Sequence, residues 1–160
     1  MDWPSLLVGG IIGGIVSYIV AFIFMSISMI SMIRNPYKGT YYSYHLSTID
    51  DKTVTAHKWK IYRKLTGEIG VRLCELNHDS PLSYKGTLRV KERYIYVHLM
   101  GVNHAEEMFA IFPEPIDRVI KCVHGILSAI SMDKNPWSGK ELLVDKELSG
   151  EEAKNNLGSR

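Results

Sequence analysis

The chain has 160 residues, 46% of them hydrophobic, a formal net charge of +2 at pH 7 and two cysteines. Cys74 and Cys122 have no metal-type spacing, which excludes a cysteine-ligated metal module and leaves them as buried free thiols of a reducing compartment. Neither an internal repeat nor a low-complexity tract interrupts the sequence.

Residues 5–33 read SLLVGGIIGGIVSYIVAFIFMSISMISMI and carry no charge. A run of this length predicts one bilayer-crossing helix, for which roughly 20 residues suffice. It is too long for a secretory h-region. Met1-Asp2-Trp3-Pro4 also lacks the basic residues of a signal peptide, although Ser26-Ile27-Ser28 loosely resembles a cleavage site. Trp3 fits one membrane interface, and Arg34, Tyr37 and Lys38 fit the other. Asp2 is the only charged side chain before the run, and Arg34 and Lys38 follow it. That asymmetry predicts a single-pass inner-membrane protein with a cytoplasmic C-terminal domain.

Gly9, Gly13, Ser17 and Ala21 recur every four residues, with Gly10 and Gly14 beside them. On a helix they form one small-residue face, which lets two backbones approach closely inside lipid and predicts self-association. The competing reading is the general enrichment of Gly in membrane helices. Ser26, Ser28 and Ser31 either line a polar path in an assembly or bond back to helix carbonyls.

From Tyr37 onward the apolar period becomes two. Strands are predicted over Tyr37–Thr48, Thr53–Leu65, Gly67–Leu76, Leu82–Lys91, Tyr94–Met100, Ala105–Phe112, Arg118–Ser131 and Trp137–Val144. Turn residues separate them, as in Thr66-Gly67, Asn77-His78-Asp79-Ser80-Pro81 and Pro113-Glu114-Pro115. The segment Arg118–Ser131 also fits a helical face, but its β-branched residues and Gly125 favour a strand. Short loops between successive strands imply an antiparallel meander. Eight strands in a domain this small predict a closed eight-stranded β-barrel, because closure removes exposed edges. The fold class is thus mainly β with an N-terminal transmembrane helix. Residues 1–34 form the anchor, 35–147 the barrel and 148–160 a tail. In the tail Ser149-Gly150-Glu151-Glu152 has the capping-box pattern of a short helix, and disorder is expected from Asn155 to Arg160.

Charge is uneven along the barrel. Residues 52–93 hold ten Lys/Arg against four Asp/Glu, and the balance reverses over 94–147. The basic half either is a solvated face or meets phosphate or anionic lipid.

No catalytic constellation is evident. Gly125-Ile126-Leu127-Ser128-Ala129 lacks the nucleophile-elbow pattern, and His45, His57, His78, His98, His104 and His124 form no metal spacing. Asp50-Asp51 and Glu106-Glu107 are sequence neighbours, so on strands their side chains diverge. A binding protein is expected, with no metal and no cofactor. Alternation assigns the barrel faces. Lysine is rarely buried unpaired, so Lys58, Lys60 and Lys64 point outward and His57, Trp59, Ile61 and Arg63 inward. By the same parity Tyr41 and Tyr84 face in, and His124 does so with Ile120, Cys122 and Ile126. Tyr41, Trp59 and Tyr84 would then offer π surfaces, and Arg63, His57 and His124 hydrogen-bond donors, which is the chemistry a nucleotide requires. The competing reading makes the aromatics core filler and the histidines internally satisfied.

A membrane anchor followed by Gly39-Thr40-Tyr41, Trp59-Lys60-Ile61, Leu82-Ser83-Tyr84-Lys85-Gly86 and Asn135-Pro136 with Lys140–Lys146 resembles the SMODS-associated two-transmembrane β-strand-rich effectors. These belong to the CBASS and Panoptes anti-phage systems of bacteria and are STING-like cyclic-nucleotide receptors. The resemblance implies a barrel that binds a cyclic di- or oligonucleotide from a partner cyclase. It also implies self-association and disruption of the inner membrane, with no DNA or RNA polymer as partner. The chain departs from the pattern in having one apolar run rather than two. Two other readings are a tethered barrel for a lipid or apolar ligand, and an adaptor that docks a protein on the basic rows.

Overall fold

The computed structural model describes residues 12–25, 35–46, 53–76, 81–130 and 136–158. The chain divides into two compact units, Met1–Arg34 and Asn35–Arg160.

In the first unit, residues 12–25 form helix α1, which is apolar on every side and exposes Tyr18, Phe22 and Phe24. Among the described residues no helix is long and apolar enough to cross a membrane. Gly13, Ser17 and Ala21 lie on α1, whereas Gly9, Ser26, Ser28 and Ser31 lie outside the described residues.

In the second unit the eight strands are β1 (Gly39–Leu46), β2 (Val54–Arg63), β3 (Ile69–Glu75), β4 (Ser83–Lys91), β5 (Tyr94–Gly101), β6 (Glu107–Pro113), β7 (Cys122–Ile130) and β8 (Pro136–Val144). Each pairs antiparallel with its successor, and β8 pairs back onto β1 through Tyr42–Val144, Ser43–Leu143 and Tyr44–Leu142, so the barrel is closed. The seam matters energetically: without it β1 and β8 would both present unpaired edges.

Side chains from all eight strands fill the interior in one cluster that includes Trp59, Leu73, Leu88, Leu99, Phe112, Leu127 and Leu143. This is the expected state of an eight-stranded barrel, whose bore is just wide enough for its own side chains. Two glycines make the curvature possible. A Cβ at Gly86 would lie 1.7 Å from the His98 carbonyl oxygen, and one at Gly125 would lie 2.4 Å from both the Ile111 carbonyl oxygen and the Phe112 ring. The β4–β5 hairpin turns on Glu92 and Arg93, both with positive φ (52° and 67°). That is the primed-turn geometry favoured by strand twist, occupied here by two residues that resist it.

Helix α2 (Gly150–Gly158) covers part of the outer wall. Ala153 and Leu157 pack with Tyr44, Ala56, Leu142 and Val144 in a second small core. The capping box forms as predicted: the Glu152 amide donates to Ser149 Oγ, and the Ser149 amide donates to the Glu152 carboxylate at 2.9 Å. Tyr44 fastens the approach to the helix, since its hydroxyl accepts from the Leu148 amide at 2.7 Å. The expected disorder from Asn155 is corrected here. Residues 155–158 are helical because Leu157 has an apolar site on the barrel wall, which the tail sequence alone does not reveal.

Strand β7 requires a second correction. It begins at Cys122, not Arg118, because Arg118 has φ 56° and the Val119 amide bonds the Asp117 side chain. Neither cysteine is buried: both are free, with Cys74 half-buried and Cys122 exposed.

Candidate functional site

Strand parity carries Tyr41, His57, Trp59 and Tyr84 into the interior, all buried, with Arg63 half-buried on the same face of β2. His124 is on the outside. Its neighbours in β7, Cys122 and Ile126, are exposed too, while Leu127 and Ala129 face in. The inward assignment failed because it took its phase from Ile120, which precedes the strand. Gly125 sets the true phase by lying against the Phe112 ring.

The inward aromatics bind one another and nearby polar groups. The Trp59 indole donates to Ser43 Oγ at 2.7 Å and meets Phe112 edge-on at 6.1 Å. The Tyr84 hydroxyl donates to Glu106 at 2.7 Å, and its ring lies edge-on to His104. Burial and the Glu106 carboxylate push the Tyr84 hydroxyl well above the usual phenol range, so it stays a donor. Arg63 and His57 share a face but not a place. Six residues of extended strand separate them by about 20 Å.

A different set of interior polar groups does converge. His45 of β1, His57 of β2 and Glu141 of β8 are all buried, and Glu141 has no exposed surface. His45 Nδ1 lies 3.1 Å from Glu141 Oε2, and His57 Nδ1 lies 3.9 Å from Oε1. The imidazoles stack with centroids 5.1 Å apart, and Trp137 packs on His45. Burial pushes His57 down to about 4, an effect partly offset by Glu141, so its ring is neutral at pH 7. Among the described residues neither Glu141 oxygen and neither Nδ1 has an aligned hydrogen-bond partner, despite the short separations. These three residues could together hold a metal ion. Sequence spacing gives no hint of them, since they come from three strands. The available signal is a carboxylate at an inward position, between Gly139 and Leu143.

The outer wall of β1–β4 is a second candidate. Cross-strand pairing aligns Thr40 with Lys60, Lys60 with Arg72 and Arg72 with Lys85, and Lys58 lies beside them opposite Cys74. Lys58, Lys60, Arg72 and Lys85 line one groove of about 630 Å³ with Ser83 and Cys74. That volume falls within the usual range for small-ligand sites, about 300–1,000 Å³. Among the described residues none of these four cations pairs with a carboxylate. Lys58 instead sits over Tyr42 and Arg72 over Tyr62. Like charges directly across a ladder cost stability, so this row is unfavourable in the free protein.

The wall of β5–β7 is apolar, with Tyr96 opposite Ile111 and Ile111 opposite Ile126, all exposed. Of its histidines, His98 is engaged: its Nε2 lies 2.6 Å from Glu107 and its ring stacks on Phe109. No protein-family model matches the chain, and no curated protein matches its sequence.

Proposed function

We propose that this chain is a membrane-tethered binding protein of anti-phage defence, whose barrel senses a cyclic di- or oligonucleotide and so controls self-association and damage to the inner membrane. The observation that carries this reading is the groove on β1–β4. Four cations on one wall, with no carboxylate partner among the described residues, have their best use when they meet phosphates, and Arg72 and Lys85 are cross-strand partners that could share one phosphate. The ligand's place is the outer wall rather than the bore, because Tyr41, Trp59 and Tyr84 are occupied with their own neighbours. The tether rests on the uncharged run at residues 5–33, and the cytoplasmic side of the membrane follows from Arg34 and Lys38. The apolar wall with Tyr96, Ile111 and Ile126 serves as the surface for a second copy. A partner cyclase supplies the ligand, and the chain itself performs no catalysis.

Calorimetry of the full chain in detergent, titrated with a panel of cyclic di- and oligonucleotides, tests this. Binding is expected to weaken steeply with salt and to be lost in a Lys60→Glu/Lys85→Glu variant. Silence across the panel from a folded protein refutes it. Protein docking on the same wall is the second reading, favoured by the filled interior. It predicts capture of a partner protein without any nucleotide binding.

A further inference from the structure

We propose that His45, His57 and Glu141 form a buried binding site for a divalent transition metal, of the zinc class, across the seam that closes the barrel. The inference does not depend on the nucleotide reading.

Glu141 is a carboxylate with no exposed surface and no aligned hydrogen-bond donor among the described residues. A buried carboxylate is stable only when paired and hydrogen-bonded or when it coordinates a metal. The two groups nearest to it are imidazoles whose Nδ1 atoms also lack aligned partners. Four such atoms in one place have a common cause if all of them direct lone pairs at one point. Their spacing supports this. Ligand atoms about 2.0–2.1 Å from a tetrahedral zinc lie about 3.4 Å from one another. The observed separations are 3.1 and 3.9 Å, and one donor atom from each residue falls within 4.8 Å of the others. The two separations run to different oxygens of Glu141, and drawing the widest of the three ligand atoms in from 4.8 Å takes a shift of about 1.4 Å.

The donor set, two imidazoles and one carboxylate, suits zinc and its transition-metal neighbours and is poor for calcium or magnesium, which prefer oxygen. Location supplies a purpose. β1 contacts β2 on one side and β8 on the other. Extending the register of Tyr44 with Leu142 sets His45 across from Glu141. A metal held here would bolt together the three strands on which closure depends, and Trp137, packed on His45, would shield it.

The test uses the full, tag-free chain in detergent, stripped with chelator and titrated with Co²⁺ and Zn²⁺ as the only additions. Expected are one ion per chain, intense Co²⁺ ligand-field absorption of low-coordinate type, displacement by Zn²⁺ and a thermal midpoint about 5 °C higher with excess Zn²⁺. Glu141→Gln and His45→Gln should weaken binding more than about 100-fold. No ligand-field absorption from folded wild-type protein overturns the proposal, and so does undiminished binding by a folded Glu141→Gln. If the interior variants do not fold, His98→Gln decides. Binding lost in that variant belongs to the exposed His98–Glu107 pair and sinks the interior site. Binding retained, with low-coordinate absorption, upholds it.

Discussion

Replacing Arg72 by Glu should stabilise the free barrel and weaken its ligand binding at the same time. Arg72 faces Lys60 on one side and Lys85 on the other. Each cross-strand charge pair is worth roughly 0.2–1 kcal/mol, favourable or unfavourable according to sign. Turning two like-charge pairs into two opposite-charge pairs therefore gains about 1–2 kcal/mol, with solvent exposure keeping it at the low end. The stacking of Arg72 over Tyr62 is lost, at a cost of about 0.5 kcal/mol for an exposed pair. The net gain is about 1 kcal/mol, or a thermal midpoint about 4 °C higher for a domain of this size. For a phosphate about 5 Å away in the dielectric of water, reversing one charge removes an attraction and adds a repulsion, together about 2 kcal/mol. That is about a thirtyfold loss of affinity. Thermal denaturation followed by circular dichroism reads the first effect, and calorimetry with the proposed cyclic-nucleotide ligands reads the second. A lower midpoint would show that the cationic row carries no internal repulsion. An unchanged affinity would remove the ligand from this wall.

Changing Glu92-Arg93 to Asn-Gly should raise stability by about 1 kcal/mol, measured by chemical denaturation, because both residues now hold positive φ without the side chains that tolerate it. Gly86→Ala should cost more than about 3 kcal/mol or prevent folding, since its Cβ would meet β5 backbone, whereas Gly139→Ala, with nothing within 4 Å, should be tolerated within about 1 kcal/mol. Leu157→Ala should cost about 2–3 kcal/mol by opening the small core beneath α2, and an unchanged midpoint would mean that the tail is not part of the cooperative unit. Gly13→Leu should abolish membrane toxicity while leaving nucleotide affinity intact. The leucine fits the isolated helix, because nothing lies within 4 Å of the position, so retained killing would remove the small-residue face from the mechanism.

The barrel was legible because two local signals agreed along most of its length. Alternation in segments such as Thr53–Leu65 fixed which side chains share a face, and turn residues fixed where each face ends. Legibility failed where the phase had no anchor. In β2 the lysines anchor it, since Lys58 and Lys60 cannot both be buried unpaired. Strand β7 has no such residue. Ile120, Cys122, His124 and Ile126 make as good an inward row as Val123, Gly125, Leu127 and Ala129, and the glycine that decides between them reads as weak in sequence although it packs against Phe112. The tail fails differently: Leu157 is one apolar residue in a polar segment, and its site consists of Tyr44, Leu142 and Val144.

The interior triad illustrates a further limit. Residues 45, 57 and 141 are distant in sequence, and no spacing rule joins them, because metal motifs within one helix or loop work through local geometry that a barrel does not use. What brings them together is parity and closure combined. The odd positions of β1 and β2 face inward, and β8 meets β1 only because the sheet closes. The same parity divides β2 between the two candidate sites. His57, Trp59 and Ile61 serve the interior, while Lys58 and Lys60 serve the outer groove. A one-residue slip of β2 would exchange the two sets, burying lysines and exposing the tryptophan. The conformation that presents Lys58 and Lys60 on the outer groove is therefore the one that places His57 beside Glu141, and whatever holds the seam also holds the groove in register.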